Sequence, residues 1–276
     1  MHALVRATTD LWRLRGLPEV RMAVCDLNCR ESTRAYVNAL RPRMCYHFAW
    51  TDGRDLNSFD HTGFLRSSID FAQALADSGC ERFVGVGTVH EYGASQAVLT
   101  ESSRLAPHNL HAASKTALAT ALRQIERRSG MKVTWVRPFY HYGPYEQPRR
   151  LVRSVIDALR QRRPARTTSG EQAIDYLHAE DAAAGICAAA REGLPVANIC
   201  SGQAVAVRDV VLRIGQLLNA VGLLEIGALA RSAAEPPFIC GDNRLLRERT
   251  SWRPRFDLES GLRHTIEWWL AQGKAE

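Results

Sequence analysis

Residues 82–87 read Arg-Phe-Val-Gly-Val-Gly, a short apolar run that stops at a glycine, which is the pattern of a buried strand opening into a turn. The same pattern recurs on either side of it. Residues 44–48 (MCYHF) and 131–136 (MKVTWV) are two more such runs, and residues 3–5 and 20–24 are another pair, the second ending at Asp26. Helical patterns fill the intervals, at 31–40, at 64–76 and at 109–128. The second carries Phe64, Leu65, Ile69, Phe71, Leu75 and Ala76 at helical spacing and stops near Gly79; the third stops at Gly130. Short strands alternating with long helices predict an α/β fold with a doubly wound parallel sheet.

Past Pro138 the rhythm changes. Residues 150–160 (RLVRSVIDALR) read as an amphipathic helix, and a polar stretch runs on to Gly170. An Ala-rich helix at 179–191, a strand at 196–200 and helices at 207–218, 242–249 and 258–270 follow. The expected organisation is a sheet-bearing domain at 1–138 and a smaller, mostly helical domain at 139–276, with the strand at 196–200 returning to the first sheet.

Composition excludes several classes. No apolar run approaches the ~20 residues of a membrane span, and the start of the chain is too poor in apolar residues for a signal peptide. The seven cysteines are scattered and never spaced Cys-x-x-Cys, which argues against a disulfide framework or a zinc site and for a reducing cytoplasm. The net charge of +7 raises nucleic acid as a partner, but the basic residues are spread out and form no basic helix interleaved with aromatics. His108 and His111 have no partner at metal spacing, so no metal is assigned. Only Lys115, Lys132 and Lys274 are lysines against 33 arginines, so a Lys at a chosen place hints at a need for a small, titratable ammonium.

Four stretches in order carry a resemblance: 83–93 (FVGVGTVHEYG), 111–115 (HAASK), 136–144 (VRPFYHYGP) and 170–181 (GEQAIDYLHAED). Together they resemble the extended short-chain dehydrogenase/reductase family, specifically its nucleotide-sugar epimerases, dehydratases and reductases. Weaker likenesses at 26–27, 47–49, 198–202 and 251–254 extend it over nearly the whole chain. The resemblance implies a Rossmann-like dinucleotide-binding domain at 1–138 and a substrate domain at 139–276. It implies hydride transfer between a sugar carbon and a nicotinamide, with a side chain moving the hydroxyl proton. In the family's Tyr-x-x-x-Lys both side chains share one helix face, one turn apart, and the cation lowers the phenol pKa.

Carried over, Thr88 is the active-site hydroxyl, Lys115 the cation, and His111 stands in the place of the Tyr. The implied cofactor contacts are Arg6, Asp26, Leu27, Ala49 and Pro138 with Lys115; the implied substrate contacts are Thr88, His90, Tyr140 and Arg150. The cofactor is NAD or NADP, with Arg6 leaning towards NADP. The resemblance further implies a nucleotide-sugar substrate and a homodimer through helices 64–79 and 109–128, and no nucleic-acid or membrane partner is expected.

The chain departs from the family in three places. No Gly-rich turn follows a first strand, and residues 3–6 match the family's second strand, so about 30 residues carrying the phosphate cradle are expected to be missing upstream, which weakens dinucleotide binding. His111 replaces the phenol with a shorter imidazole. Ile174 replaces a diphosphate-clamping Arg and cannot donate. Because Val89 and His90 follow Thr88 where dehydratases write Asp-Glu, epimerase or 4-ketoreductase is the expected activity. The alternative is a non-catalytic relative that binds a sugar nucleotide or pairs with an active homologue.

Overall fold

The computed structural model describes residues 1–51, 55–232 and 235–272. In chain order the first elements are β1 (His2–Val5), β2 (Arg21–Val24), α1 (Arg30–Leu40), β3 (Met44–His47), α2 (Asp60–Asp77), β4 (Arg82–Val86), α3 (Leu110–Ser129) and β5 (Lys132–Pro138). β1 and β2 pair in parallel as a two-stranded sheet, Leu4 opposite Ala23. β3 and β4 pair in parallel from Met44 opposite Arg82 to His47 opposite Gly85, and β5 follows β4 in that sheet. No described strand joins the two sheets.

Residues 1–91 and 105–135 form one unit of the chain, and residues 92–104 and 136–276 a second. The core of the first lies where α2 and α3 cover β4 and β5. Phe71, Leu75, Phe83, Val84, Leu118, Leu122, Val133 and Trp135 are all buried there, each large apolar side chain contributing on the order of 1.5–3 kcal/mol. Gly85 admits the Trp135 ring, whose atoms would lie 2.6 Å from a Cβ at that position. α3 begins where Asn109 accepts the Ala112 N–H (2.8 Å) and ends at Gly130 in the left-handed region, φ +79°. α2 starts a turn earlier than its apolar spacing predicts, because its first turn, 60–63, is polar yet buries His61 completely.

The second unit continues with β6 (Tyr140–Tyr142), α4 (Leu151–Arg160), β7 (Ala165–Thr167), β8 (Ala173–His178), α5 (Ala179–Glu192), β9 (Val196–Ile199), β10 (Ala204–Ala206), α6 (Val207–Leu217), β11 (Leu224–Ile226), β12 (Phe238–Ile239), α7 (Arg244–Arg249) and α8 (Leu258–Gln272). β8 is its hub, pairing in parallel with β6 and β12 and antiparallel with β10. β7 pairs with β11, and the Phe139 N–H, just past β5, donates to the Ile199 carbonyl at the end of β9 (3.0 Å). Several of these strands are two or three residues long, too short for any periodicity to show in the sequence.

Asp175 of β8 explains how the turns are held. Its buried carboxylate accepts N–H bonds from Ser201 (2.8 Å), Gly202 (3.0 Å) and Gly241 (3.2 Å) and the Ser201 hydroxyl (2.7 Å). Residues 92–104 join this unit because Tyr92 donates to Asn198 Oδ1 (2.7 Å) and Asn198 Nδ2 donates to the Leu99 carbonyl (2.9 Å). Ile174, at the position of the expected Arg, is core. Among the described residues no helix is long and apolar enough to cross a membrane.

Candidate active site

Parallel strands end in a row of carbonyls at one sheet edge, and ligands of such sheets bind there. At that edge β4 ends at Val86, turns at Gly87 and enters Thr88 and a 3-10 turn, Val89–Tyr92. Thr88 is buried. Its Oγ1 accepts the His90 N–H (3.3 Å), and its own N–H donates to Glu91 Oε1 (2.8 Å). The hydroxyl thus caps the turn that carries it. The His90 ring meets His108 edge to face, centroids 6.4 Å apart.

Lys115 comes to the same strand end from α3. Its side chain is buried, and Nζ donates to the Val86 carbonyl at 2.7 Å, two residues before Thr88. The ammonium lies 3.9 Å from the centre of the Trp50 ring, a cation–π contact. Burial pushes the Lys115 pKa down to about 7, and the charge of Glu91 opposes that fall. An ammonium with three donors that spends one on Val86 keeps capacity for further acceptors.

His111, one turn earlier on α3, is tied by its backbone N–H to the Leu56 carbonyl (2.8 Å). Its ring packs on His61 (5.0 Å between centroids) and Trp50 (6.4 Å). His111 Nδ1 is buried and has no hydrogen-bond partner among the described residues. Burial, then the neighbouring Lys115 charge, pushes its pKa down to about 3, so the imidazole is neutral at neutral pH. His61 is fully engaged: Nδ1 accepts the Trp50 indole N–H (3.1 Å), which leaves its proton on Nε2 for the Asp55 carbonyl (2.9 Å).

The other positions read from the sequence are distributed as follows. Arg6, just past β1, is exposed and its N–H donates to Thr9 Oγ1 (3.0 Å). Asp26, past β2, is exposed and accepts the Asn28 N–H (2.9 Å); Leu27 is half-buried and Ala49 exposed. All of these belong to the first unit, with Thr88, His90, His111 and Lys115. Pro138, Tyr140 and Arg150 belong to the second. Pro138 closes β5, Tyr140 packs edge-on against Tyr176 (6.1 Å), and exposed Arg150 precedes α4. Burial raises the Tyr140 pKa, and the Arg150 charge works against the rise.

Trp50 and His61 are missing from the sequence reading, and Glu91 entered it only as a carboxylate one place past the dehydratase position. Glu91 had a signal, a lone carboxylate in an otherwise apolar stretch before Tyr92. Trp50 had a weaker one, a large aromatic directly after Ala49. The second unit adds a pocket of about 340 Å³ lined by Arg231, Ser232, Glu235 and Pro237. Among the described residues no three His, Cys, Asp or Glu side chains gather as a metal site.

With this geometry in view, comparison with known proteins assigns the class. Residues 2–200 match the NAD dependent epimerase/dehydratase family. The chain is 30% identical over 184 residues to dTDP-glucose 4,6-dehydratase of Shigella flexneri, covering 63% of this chain and 51% of that protein. It therefore spans about half the length of the first curated relatives it matches. Its fold is similar to that of dTDP-glucose 4,6-dehydratase from Bacillus anthracis, solved with NAD, at TM-score 0.87 and 17% identity over 99% of this chain and 88% of the other. It is equally similar to UDP-glucose 4-epimerase from Thermotoga maritima, solved with UDP-glucose, at TM-score 0.88 and 17% identity over 100% and 91%. The chain belongs to the NAD dependent epimerase/dehydratase family, on a Rossmann-type α/β fold.

Proposed function

We propose that this chain acts on a nucleotide-linked sugar with NAD or NADP, as an epimerase or 4-ketoreductase. The observation that carries the reading is the anchoring of Lys115 Nζ on Val86, beside the Thr88 turn at the carboxyl end of β4. The residues suit the nicotinamide end of a dinucleotide, because a buried ammonium with donors to spare faces the strand end and Arg6 and Asp26 follow two further parallel strands. The relatives' printed ligands, NAD and UDP-glucose, are of the same chemical kinds. A bound nicotinamide supplies hydride acceptance and return.

In this reading Lys115 binds the ribose hydroxyls and sets a positive charge beside the reacting centre. Thr88 turns its hydroxyl from the cap of its own turn to the reacting sugar oxygen. His111 is a proton acceptor at neutral pH, but a weak one, since efficiency is best when the pKa lies near the working pH. Leu27 and Ala49 line the cofactor and His90 the substrate, all within the first unit. α2 and α3, which pack on each other in the first unit, supply a homodimer face.

One observation favours a second reading. Trp50 covers the Lys115 ammonium and packs on His111, so an aromatic ring stands against both groups. A non-catalytic relative that binds a sugar nucleotide or partners an active homologue would tolerate this. Single-turnover hydride transfer from labelled NADH or NADPH to a keto-sugar nucleotide separates the two: transfer supports the enzyme, and none at any cofactor concentration leaves the binding protein.

A further inference from the structure

Glu91 is a buried ionisable group that the chemistry above leaves unused. Its residue has 0% exposure. A carboxylate in such a place costs several kcal/mol unless N–H donors or a cation compensate it. Here the Thr88 backbone N–H binds Oε1 at 2.8 Å, and the Trp135 indole N–H reaches both oxygens, at 3.1 and 3.2 Å. Gly87 lets the carboxylate in, because a Cβ there would collide with Glu91 Oε1 and the Trp135 ring. One residue earlier, the Val86 carbonyl holds Lys115 Nζ. Carboxylate and ammonium are therefore both fastened to the three residues 86–88.

Among the described residues, the other groups around Lys115 bring no negative charge. His47 of β3 is buried on Ser68 Oγ (2.8 Å) and, like His111, is held neutral, its pKa pushed down to about 3 by burial and then by Lys115. Trp50 offers only its ring face. Among the described residues Glu91 is the negative charge that acts on Lys115, in the sense that favours the ammonium.

We propose that Glu91 is a positioning residue for the Thr88–Lys115 pair, its carboxylate fixing the Thr88 backbone and serving as the buried counter-charge of the Lys115 ammonium. The inference deepens the reading of Lys115 as the cofactor-side cation and rests on it. Thr88 is held by a residue three positions later in its own turn, so hydroxyl and ammonium keep a fixed spacing through one carboxylate.

The test uses the scarcity of lysine. With only three lysines in the chain, 13Cε-lysine labelling gives three NMR signals, and Lys115→Met identifies the one from Lys115. Glu91→Gln keeps the shape and an acceptor oxygen for Thr88 but removes the charge. The Lys115 titration midpoint is expected to fall by about one unit or more, as for loss of a nearby opposite charge, with Lys132 and Lys274 unmoved. A Lys115 midpoint that stays in place in Glu91→Gln overturns the proposal. If that variant does not fold, Glu91→Asp draws the charge back by one methylene and is read the same way; a Lys115 midpoint that stays in place there overturns the proposal equally. Neither readout involves a cofactor. Dinucleotide binding measured on the same samples separates failure of this coupling from failure of the enzyme reading.

Discussion

At the scale of single residues, the site contains bases that burial has weakened. In the proposed reading His111 takes the place of the family's phenol, and burial, which pushes its pKa down to about 3, makes it a poor base for a sugar hydroxyl. Replacing His111 with Tyr is expected to raise the rate of hydride transfer about tenfold or more, within the range of general-base effects. Stopped-flow absorbance of the reduced nicotinamide measures it, and a rate unchanged or lowered would remove His111 from the proton path. His47 makes a second prediction. Its pKa lies near 3 in the fold against 6.5 for a free side chain. Between those values the unfolded chain binds a proton that the folded chain does not, so stability rises as pH rises through this window and falls towards acid. The urea midpoint is expected to climb with pH across this range, and His47→Gln to flatten the slope. An identical slope in the variant would show that His47 is not among the groups responsible.

At the scale of elements, β4 and the turn after it set the geometry. Gly85→Ala pushes a methyl into the Trp135 ring, and with Trp135 held by Glu91 the ring has little room to give. A loss of about 1–3 kcal/mol is expected from overpacking, read by chemical denaturation; a neutral result would mean the Trp135 ring can move. In the second unit, Asp175→Ala leaves three backbone N–H groups and the Ser201 hydroxyl without their acceptor, and a loss of at least ~3 kcal/mol is expected by the same measurement. β4, β5 and α3 were legible in the sequence, the strands as apolar runs stopped by Gly87 and Pro138 and the helix as a long period bounded by Asn109 and Gly130. The start of α2 was not, because its first turn buries a histidine rather than an aliphatic residue. The short strands β6, β7, β10, β11 and β12 were not, because their pairing partners lie far away in sequence and two or three residues carry no period.

At the scale of the whole chain, the family membership was legible because four stretches, 83–93, 111–115, 136–144 and 170–181, follow one another in the family's order and spacing. The neighbours that determine the chemistry of Thr88, His111 and Lys115 were hidden. Trp50 and His61 reach Lys115 and His111 from the β3–α2 connection and the start of α2, and Glu91 reaches its partners only after the turn closes on Trp135. Such contacts are tertiary, and a spacing rule within one element cannot contain them. The same two helices, α2 and α3, are expected to join two copies of the chain, and sedimentation equilibrium giving only monomer at all concentrations would exclude that face.

The most direct measurement is equilibrium titration of NAD and NADP into the purified protein and into Lys115→Met, followed by indole fluorescence, since Trp50 lies on the lysine. Saturable binding of at least one dinucleotide below about millimolar, weakened about tenfold or more in the variant, is the expected result. No saturable binding of either, or equal affinity with and without the lysine, would contradict a nicotinamide site at Lys115.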